Sequence, residues 1–349
     1  MKHKRFFAAL AALTLAFAVI SGCAKKPEEV KDLKFRDSGE FRILVLADCQ
    51  DGEKPNERMM KFIGAMLDMN KPDLVVLLGD NVIEGEDDKF RRGAQALLAP
   101  VVERGAPYAY VFGNHDDEFG MTKEDMHAIY SSIGDCRTVD SAPEISGLGS
   151  CAIPVLSSDG GRTAFVLWMI DSGSYDPVYG GYDHVHEDQL EWMKATAAEY
   201  NTGGVIPSLV FQHIIPPEGF DFLRESALPE GTEGTKAYGG KNYALRLNEK
   251  AEGYLGEFPC PPTVNSGEMD VLRELGGVIG VAVGHDHANA FIGEAKGIDI
   301  IQCPGASFAS YGDDMIRGCR LITLSEGEAG YTTKVFTVAA YESGAYDAE

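Results

Sequence analysis

Four short clusters and one lone histidine carry the residue types that can hold a metal. In chain order they are Asp48-Cys49-Gln50, Gly79-Asp80-Asn81, Gly113-Asn114-His115-Asp116, His213 and Gly284-His285-Asp286-His287. Carboxylate oxygens, amide oxygens and imidazole nitrogens are the donors that suit divalent transition ions. Asp48 and Gln50 are two positions apart, as are His285 and His287. On an extended segment such pairs point to the same side. Taken singly, each signal is weak. Most Asp-x-Gln triplets are turns, and an Asp after Gly commonly satisfies its own backbone. A lone His after an apolar run is more often a hydrogen-bonded core residue. The weight lies in the order of the clusters and in what precedes each one.

Every cluster follows a short apolar run: residues 41–47 (FRILVLA), 74–78 (LVVLL), 108–112 (YAYVF), 208–211 (SLVF) and 278–283 (VIGVAV). Such runs read as buried strands. In open sheets with crossover helices, sites gather at the carboxyl ends of the strands, so distant polar groups would converge on one edge. Residues 56–70 place Met59, Phe62, Ile63, Met66 and Leu67 at helical spacing, and Lys71-Pro72-Asp73 stops the helix. Residues 89–104 repeat that pattern, giving strand–helix alternation and a mostly parallel region. Further helices are predicted over 122–133 and 187–200. Beyond Asp135 the pattern changes: 152–155 and 163–170 are strands about a Ser/Gly turn. Residues 298–303 form another strand, and 319–325 with 331–338 form a hairpin. Residues 232–262, rich in Gly and Tyr, read as a long loop over the site. Two packed sheets flanked by helices fit this order.

The ordered set Asp-x-Gln, GDN, GNHD, His and GHDH resembles the calcineurin-like metallophosphoesterases over roughly residues 41–338. Phe211 to Pro216 (FQHIIP), Asn265-Ser266-Gly267 and the GHDH ending are most similar to the purple-acid-phosphatase-29-like and Dcr2-like branch. The resemblance implies an α/β fold, a four-layered α/β/β/α sandwich of two packed mixed sheets. It implies two divalent transition ions, Mn, Fe or Zn. Asp48, Gln50, Asp80 and His287 would hold one, and Asp80, Asn114, His213 and His285 the other. His115 would be the general acid. Asp116 either orients that imidazole or is a solvated loop acid. The family usually has His where this chain has Gln50. Purple acid phosphatases carry a Tyr three residues after the bridging Asp, where this chain has Ile83.

The function so implied is dinuclear phosphoester hydrolysis, with a metal-activated hydroxide attacking phosphorus in line. The substrate would be a phosphomonoester on a small molecule or a protein. The alternatives are a phosphodiesterase or nucleotidase on the same site, and a non-catalytic surface protein that kept the fold. His184 and His186 have ligand-like spacing but read as ordinary surface histidines. Asp171 to Tyr175 is a candidate for the pocket edge. Tyr238 and Tyr243 are given no role.

At the N-terminus, Lys2, Lys4 and Arg5 precede the apolar residues 6–20, a secretory pattern too short to span a bilayer comfortably. Ile20-Ser21-Gly22-Cys23 resembles a bacterial lipoprotein box. The organisation expected is a signal peptide at 1–22, a tether at 23–40, a phosphoesterase domain at 41–340 and a tail at 341–349. Lipid on Cys23 would anchor the protein to a membrane outside the cytoplasm. The formal net charge is −23, from 54 acidic and 31 basic residues. Removing 1–22 takes away three basic residues and no acidic one, leaving 28 basic residues and a net of −26. That balance argues against nucleic-acid or anionic-lipid binding through a basic surface. Bound cations would still admit a phosphate. Six cysteines follow Cys23, with no CxxC. They are expected to be mostly free and buried, with Cys136–Cys151 the first pair to test.

Overall fold

In the computed structural model, which describes residues 31–346, the first part of the chain alternates strand and helix. It runs through β1 (Glu40–Leu46), α1 (Glu57–Asn70), β2 (Leu74–Leu78), α2 (Asp87–Glu103), β3 (Tyr108–Val111) and α3 (Lys123–Ser131). Then come β4 (Cys151–Leu156), β5 (Thr163–Met169), α4 (Glu187–Tyr200) and β6 (Ser208–Phe211). Four more strands follow: β7 (Leu223–Glu225), β8 (Thr235–Tyr238), β9 (Lys241–Leu247) and β10 (Ala251–Leu255). The rest is α5 (Glu268–Leu275), β11 (Val278–Val283), β12 (Asn289–Ala295), β13 (Ile298–Gln302), β14 (Gly318–Ser325), β15 (Tyr331–Thr337) and α6 (Val338–Glu342).

One large sheet has the order β15-β14-β1-β2-β3 and the other β10-β12-β13-β11-β6-β5-β4, while β7-β9-β8 form a small third sheet. β1, β2 and β3 are parallel, as are β5, β6, β11 and β13. The outer strands pair antiparallel. Both large sheets are therefore mixed, as expected. Side-chain alternation divides each strand between two cores. In β2, Leu74, Val76 and Leu78 face the second sheet, whereas Val75 and Leu77 meet α1, α2 and α3. In β5 and β6, Leu167, Met169 and Phe211 point into the sandwich. Trp168 and Val210 point out to α4 and α5. The result is the α/β/β/α sandwich.

α1 shows how the sequence sets an element. The Asn56 side chain accepts the Arg58 N–H at the helix start, replacing a bond the first turn lacks. Met59, Phe62, Ile63, Met66 and Leu67 are buried at the predicted spacing. Each such burial contributes roughly 1.5–3 kcal/mol. Lys71 ends the helix in the left-handed region at φ 44°, ahead of Pro72.

Several expectations need correction. Residues 232–262 are not a loop but contain β8, β9 and β10, the first two joined through Gly239-Gly240. Both glycines have positive φ, the geometry of a tight hairpin turn. The segment read as a tether already packs in its second half: Leu33 and Phe35 are buried, and Lys34 bridges to Leu156. At the other end Tyr341 packs edge-on against Phe62 and Tyr346 against Phe336. The signal peptide and Cys23 lie outside the described residues. The six described cysteines, Cys136 and Cys151 included, are free. No helix among the described residues is long and apolar enough to cross a membrane.

Candidate metal centre

All five clusters stand where expected, at the carboxyl ends of β1, β2, β3, β6 and β11. Backbone bonds splice them together: Gln50 N–H donates to the Asp80 carbonyl, and Gly284 N–H to the His213 carbonyl. The local backbone is strained. Of six non-glycine residues with positive φ among those described, four are here: Asp48, Gln50, Asp80 and His285. Such conformations cost of order 1–3 kcal/mol each and persist only where the surroundings over-determine them. Two glycines make the close approach possible. A Cβ on Gly113 would lie 2.2 Å from Asp80 Oδ1, and one on Gly79 would lie 2.5 Å from His213 Nδ1.

The donor atoms form two groups that share Asp80. Asp80, His213 and His285 are one, and Asp48, Asp80 and His287 the other, all buried and each with donor atoms within 4.8 Å of one another. His213 Nε2 is 3.3 Å from Asp80 Oδ2 and 4.0 Å from Asp48 Oδ1. His287 Nε2 is 3.3 Å from Asp48 Oδ1. Asn114 Oδ1 is 3.2 Å from His213 Nε2. Gln50 Nε2 donates to Asp80 Oδ2 at 2.9 Å. Turning that amide over would present its oxygen instead.

The tautomers follow from the outer partners. His213 Nδ1–H donates to the Leu78 carbonyl and His287 Nδ1–H to the Tyr311 carbonyl, both at 2.9 Å. Each neutral ring then presents its Nε2 lone pair to carboxylate oxygens. Lone pairs facing one another at this range require a proton or a cation between them. Asp48 Oδ1 and His285 Nε2 are buried with no hydrogen-bond partner in the protein. These residues therefore fit a pair of divalent ions.

Electrostatics agree. Burial opposes charge on His213, yet Asp80 and Asp48 outweigh it and push its pKa up to about 10. His287 is likewise raised to about 9, burial being overcome by Asp48. Burial disfavours the Asp80 carboxylate, but His213 and His115 more than offset it and its pKa is lowered. His285, buried and beside His213, is pushed well below the ordinary range. The buried carboxylates thus demand positive charge, and metal binding supplies it while releasing the imidazole protons.

His115 sits at the rim. Its backbone N–H donates to Asp80 Oδ1 at 2.8 Å, and its side chain remains 39% exposed. Asp116 fills neither role expected of it. It is buried and accepts the backbone N–H groups of Gly113, Asp80 and Asn81. The partner of the imidazole is Glu118, whose Oε2 is 2.7 Å from His115 Nδ1. Tyr175 O–H donates to Glu118 Oε1 at 2.6 Å, and Asn114 Nδ2 donates to the Tyr175 oxygen at 3.0 Å. Glu118 was legible only as an acid three residues after His115; Tyr175, at the end of the stretch expected at the pocket edge, lies in the loop that follows β5 and does reach the rim. Tyr182 packs edge-on against His285, and Tyr311 stacks on His287. Asp171 is buried in an ion pair with Lys123 rather than lining the rim. Tyr238 and Tyr243 pack against Phe220. The His184 and His186 rings stack on each other and both face Asp183, with the His186 side chain 39% exposed.

This fold and donor set define a metal-dependent hydrolase class. The family model for calcineurin-like phosphoesterases matches residues 41–289. The chain belongs to that family of phosphoric ester hydrolases, which uses dinuclear metal centres. It is 29% identical to probable inactive purple acid phosphatase 14 of Arabidopsis thaliana, over 81% of this chain and 74% of that protein. It is 28% identical to phosphatase DCR2 of Saccharomyces cerevisiae, over 74% of this chain but only 46% of the yeast protein. A dimetal phosphatase from Danio rerio shares the fold with a TM-score of 0.50 at 14% identity, covering 85% of this chain and 99% of that one. The anchor protein GAP50 of the Plasmodium inner membrane complex does so with a TM-score of 0.54 at 14% identity, covering 86% and 85%.

Proposed function

We propose that this protein is an active phosphomonoesterase with two transition ions at the ends of β1, β2, β3, β6 and β11. The observation that carries the reading is the shared carboxylate: Asp80 belongs to both buried donor groups. Asp48, Gln50 and His287 would complete one position, and Asn114, His213 and His285 the other. When bound, such a pair lowers the pKa of water and clamps phosphoryl oxygens. His115, at the rim and adjoining Asp80 through its backbone, would protonate the leaving alkoxide. Glu118 holds that ring by Nδ1, fixing its orientation. Asp116 keeps the Gly79–Asn81 and Gly113–Asp116 turns in register through three backbone N–H bonds. The phosphatase name of the yeast relative supports monoester chemistry.

Two features favour the non-catalytic alternative: the amide at Gln50, and the word inactive in the plant relative's name. Against it stand the unpartnered Asp48 Oδ1 and His285 Nε2, which remain poised for ions. The deciding experiment measures metal content beside hydrolysis of p-nitrophenyl phosphate and its bis ester. Two ions per chain with preference for the monoester is expected. Preference for the bis ester would establish the diesterase reading, and metal without turnover on either would establish the binding-protein reading. On the lipoprotein-like box we also place the protein outside the cytoplasm, anchored through Cys23.

A further inference from the structure

The excursion between β5 and α4 carries a second cluster of metal-ligating side chains, made of residues that the dinuclear centre does not use. Asp183, His184 and His186 bring a carboxylate and two imidazoles together with donor atoms within 4.8 Å of one another. His184 Nδ1 is 3.3 Å from Asp183 Oδ1 and 3.9 Å from Asp176 Oδ2. His186 Nε2 is 3.0 Å from Asp183 Oδ1 and 3.2 Å from its Oδ2. A tetrahedral zinc site with bonds of about 2.0–2.1 Å spaces its ligand atoms by roughly 3.3 Å. The observed separations bracket that figure.

Three observations separate this cluster from ordinary ion pairing. First, His184 Nδ1 is buried and makes no hydrogen bond, although two carboxylates lie within 4 Å. A ring seeking only a salt bridge would turn its N–H onto one of them. Second, the His184 and His186 rings stack at 4.5 Å with 19° between planes. Two imidazolium ions at that spacing repel, so the pair cannot satisfy both acids by protonation. Third, the backbone is shaped around the carboxylates. Gly173, at φ 79°, lies so close to Asp183 that a Cβ would come within 2.5 Å of Oδ2. Asp176 accepts the N–H groups of Val178 and Tyr179 with Oδ1, leaving Oδ2 toward His184.

We infer that Asp183, His184 and His186 form a third, structural site for a zinc-like ion, with Asp176 outside the ligand set but beside His184. Two imidazole nitrogens and a carboxylate oxygen suit a zinc-like ion of borderline preference, with water in the fourth position. On loading, His186 Nε2 gives up its hydrogen bond to Asp183 and any proton it carries. The ion would pin the segment that bears Tyr175 and Tyr182, which bridge to each other and touch Asn114, Glu118 and His285. Its role would be to set the rim, not to react.

The test counts ions in the full chain by elemental analysis after zinc loading and dialysis. Wild type should hold about one ion more than His184→Ala/His186→Ala. An Asp80→Ala/His285→Ala variant, emptied at the centre, should keep about one. That remaining ion, replaced by cobalt, should give the intense visible absorption of a tetrahedral site. Equal zinc content in wild type and His184→Ala/His186→Ala overturns the assignment. If that double variant fails to fold by circular dichroism, the chelated Asp80→Ala/His285→Ala protein is titrated with zinc by calorimetry. Uptake of one equivalent, abolished by adding His184→Gln, supports the site; no uptake overturns it.

Discussion

Replacing Glu268 with Gln should make the protein more stable, and by an amount that grows with pH. Glu268 is buried at the start of α5, with Oε1 unpartnered. Its Oε2 accepts from Gln212 Nε2 at 3.4 Å. Burial raises its pKa from 4.5 to about 8, the Gln212 contact opposing and Glu218 adding to the rise. In the unfolded chain the carboxyl ionises near 4.5, whereas in the folded chain it stays protonated until about 8. Between those values unfolding releases a proton, so stability falls as pH rises. Its contribution is fully present below pH 4.5 and lost by pH 8. At 1.36 kcal/mol per pH unit, the window is worth up to about 5 kcal/mol. Glutamine keeps the shape and cannot ionise. Urea denaturation of both proteins from pH 5 to 9 isolates the effect, because every other titration is shared. The two should agree within about 1 kcal/mol at pH 5, and the variant should lead by several kcal/mol at pH 9. A difference that stays flat across this range would refute the argument, leaving Glu268 ionised in the fold or solvated by water.

His115→Ala should lower turnover ~10²–10⁴-fold with the centre's metal content unchanged. The loss should be smaller for p-nitrophenyl phosphate than for an alkyl phosphate, since p-nitrophenolate leaves without a proton; equal losses would point to a positioning role. Asp80→Ala should deplete both central ions together, because its carboxylate belongs to both donor groups; elemental analysis that finds one ion retained there would break the shared-ligand reading. Cys23→Ser should release the protein from membranes or block its processing in a fractionation experiment, and a normally cleaved, membrane-bound variant would end the lipoprotein reading.

The fold was legible because its strands are short, apolar and punctuated. In β2, the run LVVLL is apolar throughout because both faces are covered, by Leu74, Val76 and Leu78 on one side and Val75 and Leu77 on the other. The edges were harder. β10 alternates weakly and is mostly exposed, so its AEGYL has no apolar period to read. β8 and β9 were hidden by their glycines and tyrosines, although Gly239-Gly240 between two short runs is itself a hairpin signature. β12, with Gly293 packed against Phe222, lacks the β-branched density that marks a strand. Leu33 and Phe35 are two isolated apolar residues in a charged stretch. Only their partner, the edge of β4, makes a bridge of them.

The centre was legible as residue types but not as bonds. Motif order placed seven donor side chains at strand ends, and all seven are there. Which nitrogen of His213 faces inward depends on the Leu78 carbonyl, 135 residues away. Sequence could say that position 50 holds an amide where the family usually has imidazole. It could not say that this amide donates to Asp80. That bond changes the meaning of the substitution. A histidine there would add a ligand nitrogen, whereas Gln50 also restrains the carboxylate that joins both donor groups. Glutamine can do either by turning its amide over, at the cost of the Asp80 bond. Position 50 therefore sets a balance between holding the bridge and holding an ion. Gln50→His should tilt it toward the ion, tightening metal binding at the Asp48–His287 side while leaving Asp80 less constrained.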